Sequence, residues 1–460
     1  MRTWFRPVVA ALTAMLGAGL VTACSTGDDQ DGALVVWSLE NQTDRVRTTE
    51  RIIASFTQRT GIPVRLVAID ENQFSQIVMS AAAADRLPDV IGALSLTATW
   101  QLAGNDLLDT AASREIVERL GTSTFSPRAL SLTRDGDRQL AVPSDSWAQI
   151  LVYRKDLFAA AGLGKPDTYD KIREAARTLH RGEVTGLSMA TSANDSASGQ
   201  AFEGLATGNG CELVDEAGRI TLDSPQCGNT FEFVDDLINN YSAPGAQDVD
   251  STRATYFAGR SAMIVWSSYL LDELGSLRAD AMPSCPQCQQ DPGFLARNSG
   301  VVGAISGPGG QGAQYGELTS WTVQAGSKRE QAKQFVEYMM DGQAYQEWLA
   351  MAPEGKIPVR RGTATDPRRF SAAWEQLPAG VDTKRPLGEI YPADTMLELR
   401  DSPERLRRWG FDQRQGLLMG ATLSEMPIGK AVESMLSGTT PAEAAGQAAD
   451  DVRAIYTSLR

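Results

Sequence analysis

Beyond its N-terminal segment the chain alternates between short apolar runs and longer amphipathic stretches. The run at 33–37 is apolar and rich in β-branched residues, which predicts a buried strand. Over 45–60 apolar side chains recur at helical spacing, and Gly61 follows as a helix-ending residue. The pattern continues with a strand, a helix and a strand at 63–69, 73–84 and 87–91. This order predicts an α/β sheet of parallel strands that binds its ligand at their carboxyl ends.

The N-terminal segment has the pattern of an export signal. Arg2 and Arg6 precede an apolar run over 7–20, which is shorter than the ~20 residues of a membrane span. We therefore expect a signal peptide over residues 1–23. The signal peptide is followed by Cys24 and by a polar segment, residues 25–32, that we expect to act as a tether.

The end of this segment, Val21-Thr22-Ala23-Cys24, resembles the lipobox of bacterial lipoproteins. The resemblance implies that Cys24 is lipidated and becomes the mature N-terminus; the alternative is an ordinary secretory peptide in which Cys24 is incidental. Two acyl chains anchor a protein stably, whereas one binds reversibly. We expect a protein that is lipid-anchored on the extracytoplasmic face of the cell membrane.

Length and charge narrow the class of protein further. A mature chain of about 430 residues exceeds what a single core usually serves, so two lobes are expected. The formal net charge of -14 argues against a nucleic-acid partner, whose phosphates require a basic face, and against broad contact with anionic lipid heads.

The histidine content limits the chemistry. His180 is the one histidine of the chain, and it falls in the last turn of a predicted amphipathic helix. A metal site with several histidines is therefore excluded, and a Ser-His-Asp relay would have to use His180. We expect no metal, no cofactor and no enzymatic activity.

Four cysteines besides Cys24 remain: Cys211, Cys227, Cys285 and Cys288. An even number in an exported protein indicates disulfides, and four cysteines allow three pairings. We favour Cys211 with Cys227 and Cys285 with Cys288. A four-thiolate zinc site and a Cys-Pro-Gln-Cys redox centre are the alternatives.

Several segments resemble, in order, the solute-binding proteins of ATP-binding-cassette importers, in the carbohydrate-binding family related to maltose-binding protein. Asn usually stands where this chain has Arg154. The matching segments are 88–91, 102–109, 140–143 with 151–163, 221–225, 256–263 and 436–445.

The resemblance implies a two-lobed periplasmic-binding-protein-like α/β fold with a hinge of several crossings between the lobes. It places lobe 1 at 33–145 plus 316–360 and lobe 2 at 146–315 plus 361–460. The crossings would lie near 145–148, 316–320 and 357–362. It also implies a monomer that binds a carbohydrate, an oligosaccharide in our interpretation, and delivers it to the membrane permease of an importer.

A sugar-binding cleft needs aromatic platforms together with amides and carboxylates. Glu40 is the first choice for a carboxylate that binds two sugar hydroxyls, although a carboxylate in a solvated loop is the alternative interpretation. The resemblance assigns to the cleft Trp37, Glu40, Asn41, Gln42, Asn72, Gln73, Ser95, Asp145, Trp147, Trp266, Tyr269, Glu317, Trp321 and Arg360.

Several of these residues have a second interpretation. Asp145 would bind the ligand or cap a turn, and Trp147 would face the ligand or fill the hinge. Trp266 or Tyr269 is the expected stacking platform. Trp100 and Trp348, outside the assigned set, are expected to pack in the core.

Two other functions remain open from the sequence. Arg360 and Arg361 near the third crossing would suit a glycerophosphodiester or another charged solute, but a solvated turn is the simpler interpretation. An anchored glycosidase would use Glu40 and Asp145 as its carboxylate pair, about 5 to 10 Å apart.

The lipobox leads to a first prediction. Cys24→Ala should release the protein from membranes without changing its ligand affinity, because the polar tether separates the anchor from the folded part. Fractionation of cells followed by ligand titration of the released protein measures both effects. Retention of the variant in the membrane fraction would contradict the lipobox assignment.

Overall fold

The computed structural model describes residues 32–459. The expected signal peptide, the Cys24 lipidation site and residues 25–31 of the tether lie outside that range. In the described part of the chain no helix has both the length and the apolar character needed to cross a membrane.

The N-terminal part follows the predicted order of strands and helices. The strand β1 pairs in parallel with both β2 and β3. The elements are β1 (Leu34–Ser38), α1 (Thr43–Thr60), β2 (Val64–Ala68), α2 (Phe74–Ala83), β3 (Val90–Ser95), α3 (Leu96–Gly104), α4 (Thr110–Leu120), α5 (Pro127–Leu132), β4 (Arg134–Asp135) and β5 (Arg138–Gln139).

Two local predictions can be compared with these bounds. Helix α1 ends at Gly61 as expected: Gly61 has a φ of 74° and its N–H donates to the Thr57 carbonyl. Strand β3 begins three residues later than predicted. The carboxylate of Asp89, just before it, accepts bonds from the backbone N–H groups of Val35 and Lys328, both at 2.8 Å, so this residue caps the strand.

The middle of the chain begins with one long strand, β6. The elements are β6 (Val142–Arg154), α6 (Lys155–Ala161), α7 (Tyr169–Leu179), α8 (Ser196–Gly208), α9 (Pro225–Asn240), α10 (Val249–Phe257), β7 (Met263–Ser267), α11 (Leu270–Leu274), α12 (Phe294–Asn298) and β8 (Ser299–Val302).

The C-terminal part returns to the first sheet and then becomes mainly helical. Its elements are β9 (Gly316–Val323), α13 (Arg329–Met339), α14 (Gly342–Leu349), β10 (Ile357–Pro358), α15 (Arg369–Trp374), β11 (Pro378–Ala379), β12 (Arg385–Pro386), α16 (Ala393–Arg400), α17 (Ser402–Arg405), α18 (Gly416–Glu425), α19 (Pro427–Leu436) and α20 (Pro441–Ser458).

Strand β6 joins the two halves of the sheet. The strand order is β10-β6-β9-β3-β1-β2, and the far end of β6 pairs with β7 and β8. The three N-terminal strands are parallel, as predicted, but β9 runs antiparallel to β3 and β6, so the sheet as a whole is mixed. The expected crossings lie side by side, since Asp145 is paired with both Thr319 and Pro358.

The described residues form four apolar cores, and the two largest are built on different sets of elements. Phe56, Trp321 and Trp348 belong to one core, around β1, β3 and β9. The other is built around helices α8, α9, α19 and α20, contains Phe202 and Phe231, and also includes Trp100 of α3. We propose the expected lobe boundaries for these two bodies.

The last segment packs on both lobes. Helix α18 lies against α3 so closely that a Cβ on Gly416 would be 2.4 Å from the ring of Trp100. Trp100 is buried, as expected, and donates to the Leu132 carbonyl at 3.0 Å. Phe370 of α15 also lies in the lobe 1 core. Residues 361–460 therefore contact lobe 1 as well as lobe 2.

The four cysteines form the two favoured disulfides, Cys211–Cys227 and Cys285–Cys288. Sulfur atoms bonded in this way are unavailable as thiolate ligands, so the zinc alternative is contradicted. Cys285 and Cys288 are also buried, at 0% and 4% exposed. This location argues against the redox-centre alternative, because a partner thiol needs access to the disulfide.

The two disulfides close loops of different length, with separations of 16 and 3 residues. In the chain-entropy model, replacing both cysteines of the longer loop by Ala should lower the free energy of unfolding by about 3 kcal/mol, against about 2 kcal/mol for the shorter loop. Denaturant unfolding of the two double variants measures this difference. A larger loss for the Cys285/Cys288 variant would contradict the loop-length argument.

Candidate functional site

An aromatic cavity lies where β6 and β7 pair. The rings of Trp147, Trp266 and Tyr269 line a volume of about 210 Å³. Trp266 is held in place by its Nε1, which donates to the Val249 carbonyl at 3.0 Å. It stands near the carboxyl end of β7 and is half-buried, so its ring keeps an accessible surface. Three of the residues expected from the sequence thus come together.

The same cavity contains amide side chains that were missed in the sequence. Gln149 of β6 and Gln200 of α8 line it beside the aromatic rings. The Oε1 atom of Gln149 is buried and has no hydrogen-bond partner in the described structure. Such an atom loses its water without compensation, so Gln149 carries an unsatisfied acceptor beside the cavity. Strand alternation placed Gln149 on the same face as Trp147, which was an available signal.

Tyr269 connects the cavity to the third crossing. A Cβ on Gly355 would lie 2.0 Å from the Tyr269 ring, so only glycine permits this contact. The Tyr269 hydroxyl donates to the Gly355 carbonyl at 3.4 Å. The ring therefore lies on the backbone that leads into β10.

Glu40 is part of a buried ion-pair network. One carboxylate oxygen accepts from Arg45 at 2.7 Å and the other contacts Lys356. Burial alone would favour the protonated carboxyl, but Lys356 and Arg45 outweigh it and lower the pKa of Glu40 from 4.5 to about 2. Because both oxygens have partners, Glu40 is neither a solvated loop residue nor a free hydroxyl clamp in this structure.

Asp145 lies in the same network and is 1% exposed. Its Oδ2 accepts from the Ser144 hydroxyl at 2.6 Å and from the Trp348 indole at 2.8 Å. Its Oδ1 lies 3.4 Å from Lys356 Nζ. This enclosure assigns Asp145 to the crossing itself rather than to a ligand surface.

A second buried network joins the lobes at Arg408, which the sequence did not indicate. Its Nε donates to Glu203 at 3.1 Å and its Nη1 donates to Glu317 at 2.9 Å. Glu317 also accepts from the Leu96 N–H at 3.0 Å, at the start of α3. Burial raises the pKa of Glu203, and the charge of Arg408 opposes that shift. Glu317, an expected ligand residue, therefore joins α3 of lobe 1 to Arg408.

Three other expected cleft residues are buried elsewhere. Trp321 is 0% exposed in the lobe 1 core, and Trp37 is 8% exposed in a smaller core. Arg360 is 3% exposed and donates to the carbonyls of Met340 and Leu120. These placements correct the expectations for Trp37, Trp321 and Arg360. The two indole side chains pack in cores, and the Arg360 guanidinium donates to backbone carbonyls.

The remaining expected residues stay at strand ends. Ser95 caps α3 by accepting from the Ala98 N–H at 3.3 Å. The other four are exposed after β1 and β2, whose carboxyl ends are adjacent because the strands are parallel: Asn41, Gln42, Asn72 and Gln73.

Comparison with known proteins decides the family. The model for bacterial extracellular solute-binding proteins matches residues 51–379. The chain belongs to this family. It is 25% identical over 390 residues to the putative ABC transporter periplasmic-binding protein YcjN of Escherichia coli (strain K12), covering 83% of this chain and 84% of that protein. A probable ABC transporter-binding protein of Deinococcus radiodurans is 22% identical over 303 residues, covering 63% and 67%.

Solved structures share the fold of this solute-binding protein. The GacH receptor of Streptomyces glaucescens superposes with a TM-score of 0.65 at 20% identity, covering 92% of this chain and 98% of that one. The cyclic alpha-maltosyl-1,6-maltose binding protein of Arthrobacter globiformis gives 0.69 at 16% identity, covering 93% and 99%. The family and the two-lobed α/β fold expected from the sequence are confirmed.

Membership also defines the general role. The chain is a solute-binding protein of an ABC importer and works outside the cytoplasm. The family and these relatives are binding proteins by their descriptions, as is expected from the sequence. A glycosidase acid needs a raised pKa, whereas the pKa of Glu40 is lowered.

The Glu40 network leads to a pH prediction. A carboxyl whose pKa falls from 4.5 to about 2 on folding stabilises the fold above pH 4.5, and this contribution is lost as the pH falls toward 2. Glu40→Gln should remove that component, which is on the order of 3 kcal/mol. Its free energy of unfolding should therefore change less than that of the wild type between pH 5 and pH 3.

Urea unfolding at several pH values in this window measures the slopes. Glu118→Gln, on the exposed face of α4, is the matched control and should follow the wild-type slope. If the free energies of unfolding of Glu40→Gln and the wild type change equally with pH, the ion pairs do not lower the pKa of Glu40.

Proposed function

We propose that this solute-binding protein is a lipid-anchored monomer that binds a carbohydrate between its lobes and delivers it to an importer permease. The aromatic cavity is the observation that carries the proposal. Three rings and two amides line it, and sugars present apolar C–H faces to rings and hydroxyls to amides.

An oligosaccharide is the proposed size of the solute. The exposed amides at the ends of β1 and β2, such as Asn41 and Asn72, would supply further partners for sugar hydroxyls. Structural neighbours were solved with acarbose, maltose and laminaribiose. Those ligands belong to the neighbours, and they support rather than establish the same class here.

The charges near the cleft favour an uncharged solute. Arg45 and Lys356 are paired with Glu40, and Arg408 is paired with Glu203 and Glu317. Arg360 is occupied by backbone carbonyls. An anionic solute would have to displace one of these partners. Arg361, the other basic residue of the glycerophosphodiester alternative, is exposed and lies 3.4 Å from Glu404, so an anionic solute there would compete with this pair.

Binding would shift an equilibrium between open and closed lobes at the three crossings. A thermal-shift screen of the purified chain against mono- and oligosaccharides tests the proposal. A ligand at 100 times its Kd adds about 2.7 kcal/mol of stability, so a true solute should raise the Tm clearly. A panel that leaves the Tm unchanged while a charged solute raises it would overturn the carbohydrate assignment.

Trp266 provides the sharpest test of the site. Trp266→Ala should weaken sugar binding by about 2 kcal/mol or more, the scale of a residue that dominates an interface. Its effect on the stability of the free protein should be smaller, because the ring is only half-buried. Calorimetric titration and melting of the free variant measure the two quantities.

Trp321→Ala is the contrasting variant. Trp321 is fully buried in the lobe 1 core, so its loss should cost about 3 to 5 kcal/mol of fold stability. Unchanged sugar affinity in a stably folded Trp266→Ala protein would remove Trp266 from the site.

A further inference from the structure

A second, smaller cavity lies next to the aromatic one. It has a volume of about 60 Å³ and is bounded by α8, α18 and the start of α19. Gln200 lines both cavities. Tyr315, in the wall of the small cavity, has its ring 5.8 Å from that of Trp147 in the large one. We call this space the side cavity, and it adjoins the proposed sugar site directly.

The walls of the side cavity are mainly apolar. Met419 on α18, Met426 between the helices and Ile428 on α19 face it, with Leu213 and Trp409. Methionine side chains adapt their shape to what they contact. On the α8 side the wall is Gly199, whose missing side chain leaves space: a Cβ there would meet nothing nearer than Ile428 at 3.9 Å.

The charged groups that border the side cavity are already paired. Glu203 accepts from Arg408 and from the Trp409 N–H at 2.8 Å. Asp195 accepts from the N–H groups of Ala197 at 2.9 Å and Val249 at 2.7 Å. Among the buried side-chain atoms of this wall, only the hydroxyl of Thr422 has no partner in the described structure.

The apolar walls of the side cavity favour an apolar group over a sugar ring. A sugar ring placed in the side cavity would lose most of its hydrogen bonds to water without replacement, which is costly. An alkyl or aryl group loses none and gains from leaving water. One water needs roughly 10–15 Å³ by the same measure of volume, so the space holds a group of only a few carbon atoms.

We infer that the side cavity binds a short apolar substituent of the solute, so that the ligand is a sugar carrying a short alkyl group. The sugar part lies against Trp147 and Trp266, and the substituent passes Gln200 to reach Met419 and Ile428. This inference rests on the proposed function, because it assumes a sugar in the aromatic cavity.

Paired glycosides test the inference directly. Methyl and n-butyl glycosides of glucose, galactose and maltose are titrated into the full chain, purified without alkyl glycoside detergent, and followed by tryptophan fluorescence. For a sugar that binds, the butyl compound should bind about tenfold more tightly or better, since each buried methylene contributes about fourfold.

Gly199→Leu fills the side cavity with four carbon atoms and should bring the methyl and butyl affinities to within about threefold. Leucine forms helix better than glycine, and Gly199 has an ordinary helical backbone. Gly446→Leu is the matched control: it is a helical glycine on α20 with nothing within 4 Å of its Cβ. It should keep the butyl preference of the wild type.

The outcomes separate the two proposals. Equal affinity of the methyl and butyl compounds in the wild type would overturn this inference and leave the carbohydrate assignment intact. A butyl preference that persists in a folded Gly199→Leu protein would also overturn it. Absence of binding by all six compounds, together with an unchanged Tm for every sugar of the thermal-shift screen, would contradict both proposals. The wild-type comparison needs no variant, so it decides even if Gly199→Leu fails to fold.

Discussion

One buried ammonium group organises the junction between the lobes. Lys356, which is 1% exposed, contacts the carboxylates of Glu40 and Asp145 and lies 4.4 Å from the centre of the Trp348 ring. A charge removed from water must be paired, and removing one partner of a buried pair is strongly destabilising. The loop after β1, the middle of β6, helix α14 and the start of β10 must therefore meet at one point.

The second network places the same constraint on the other side of the crossings. Arg408 comes from the segment before α18 and joins Glu203 of α8 to Glu317 of β9. Its guanidinium also lies 4.6 Å from the centre of the Tyr315 ring. Because most charged groups at the junction are committed to each other, the surfaces left for a solute are aromatic rings, amides and apolar side chains.

The charged networks hold the crossings together, whereas the aromatic rings beside them line the proposed binding cavity. Tyr269 covers Gly355 beside β10, and Trp147 contacts Tyr315 beside β9. The rings that line the aromatic cavity therefore rest on the backbone of the crossings. A movement of the lobes about these segments would change the shape of the cavity, which is how a bound solute would favour one arrangement of the lobes.

The sequence by itself determined the order of the N-terminal elements and the family, and it favoured the cysteine pairs that the structure contains. These properties depend on local periodicity and spacing: apolar runs, Gly61 after a helix, and ordered motifs that survive in single segments. It could not show that Glu40 and Asp145 share Lys356, that Arg408 joins Glu203 to Glu317, or that Trp321 faces the core. Those contacts link residues that lie 91 to 316 positions apart, and each carboxylate had several cations in the chain to choose from. Only the tertiary structure decides which charges are buried together, because burial and pairing follow from the packing of distant elements and leave no local pattern in the chain.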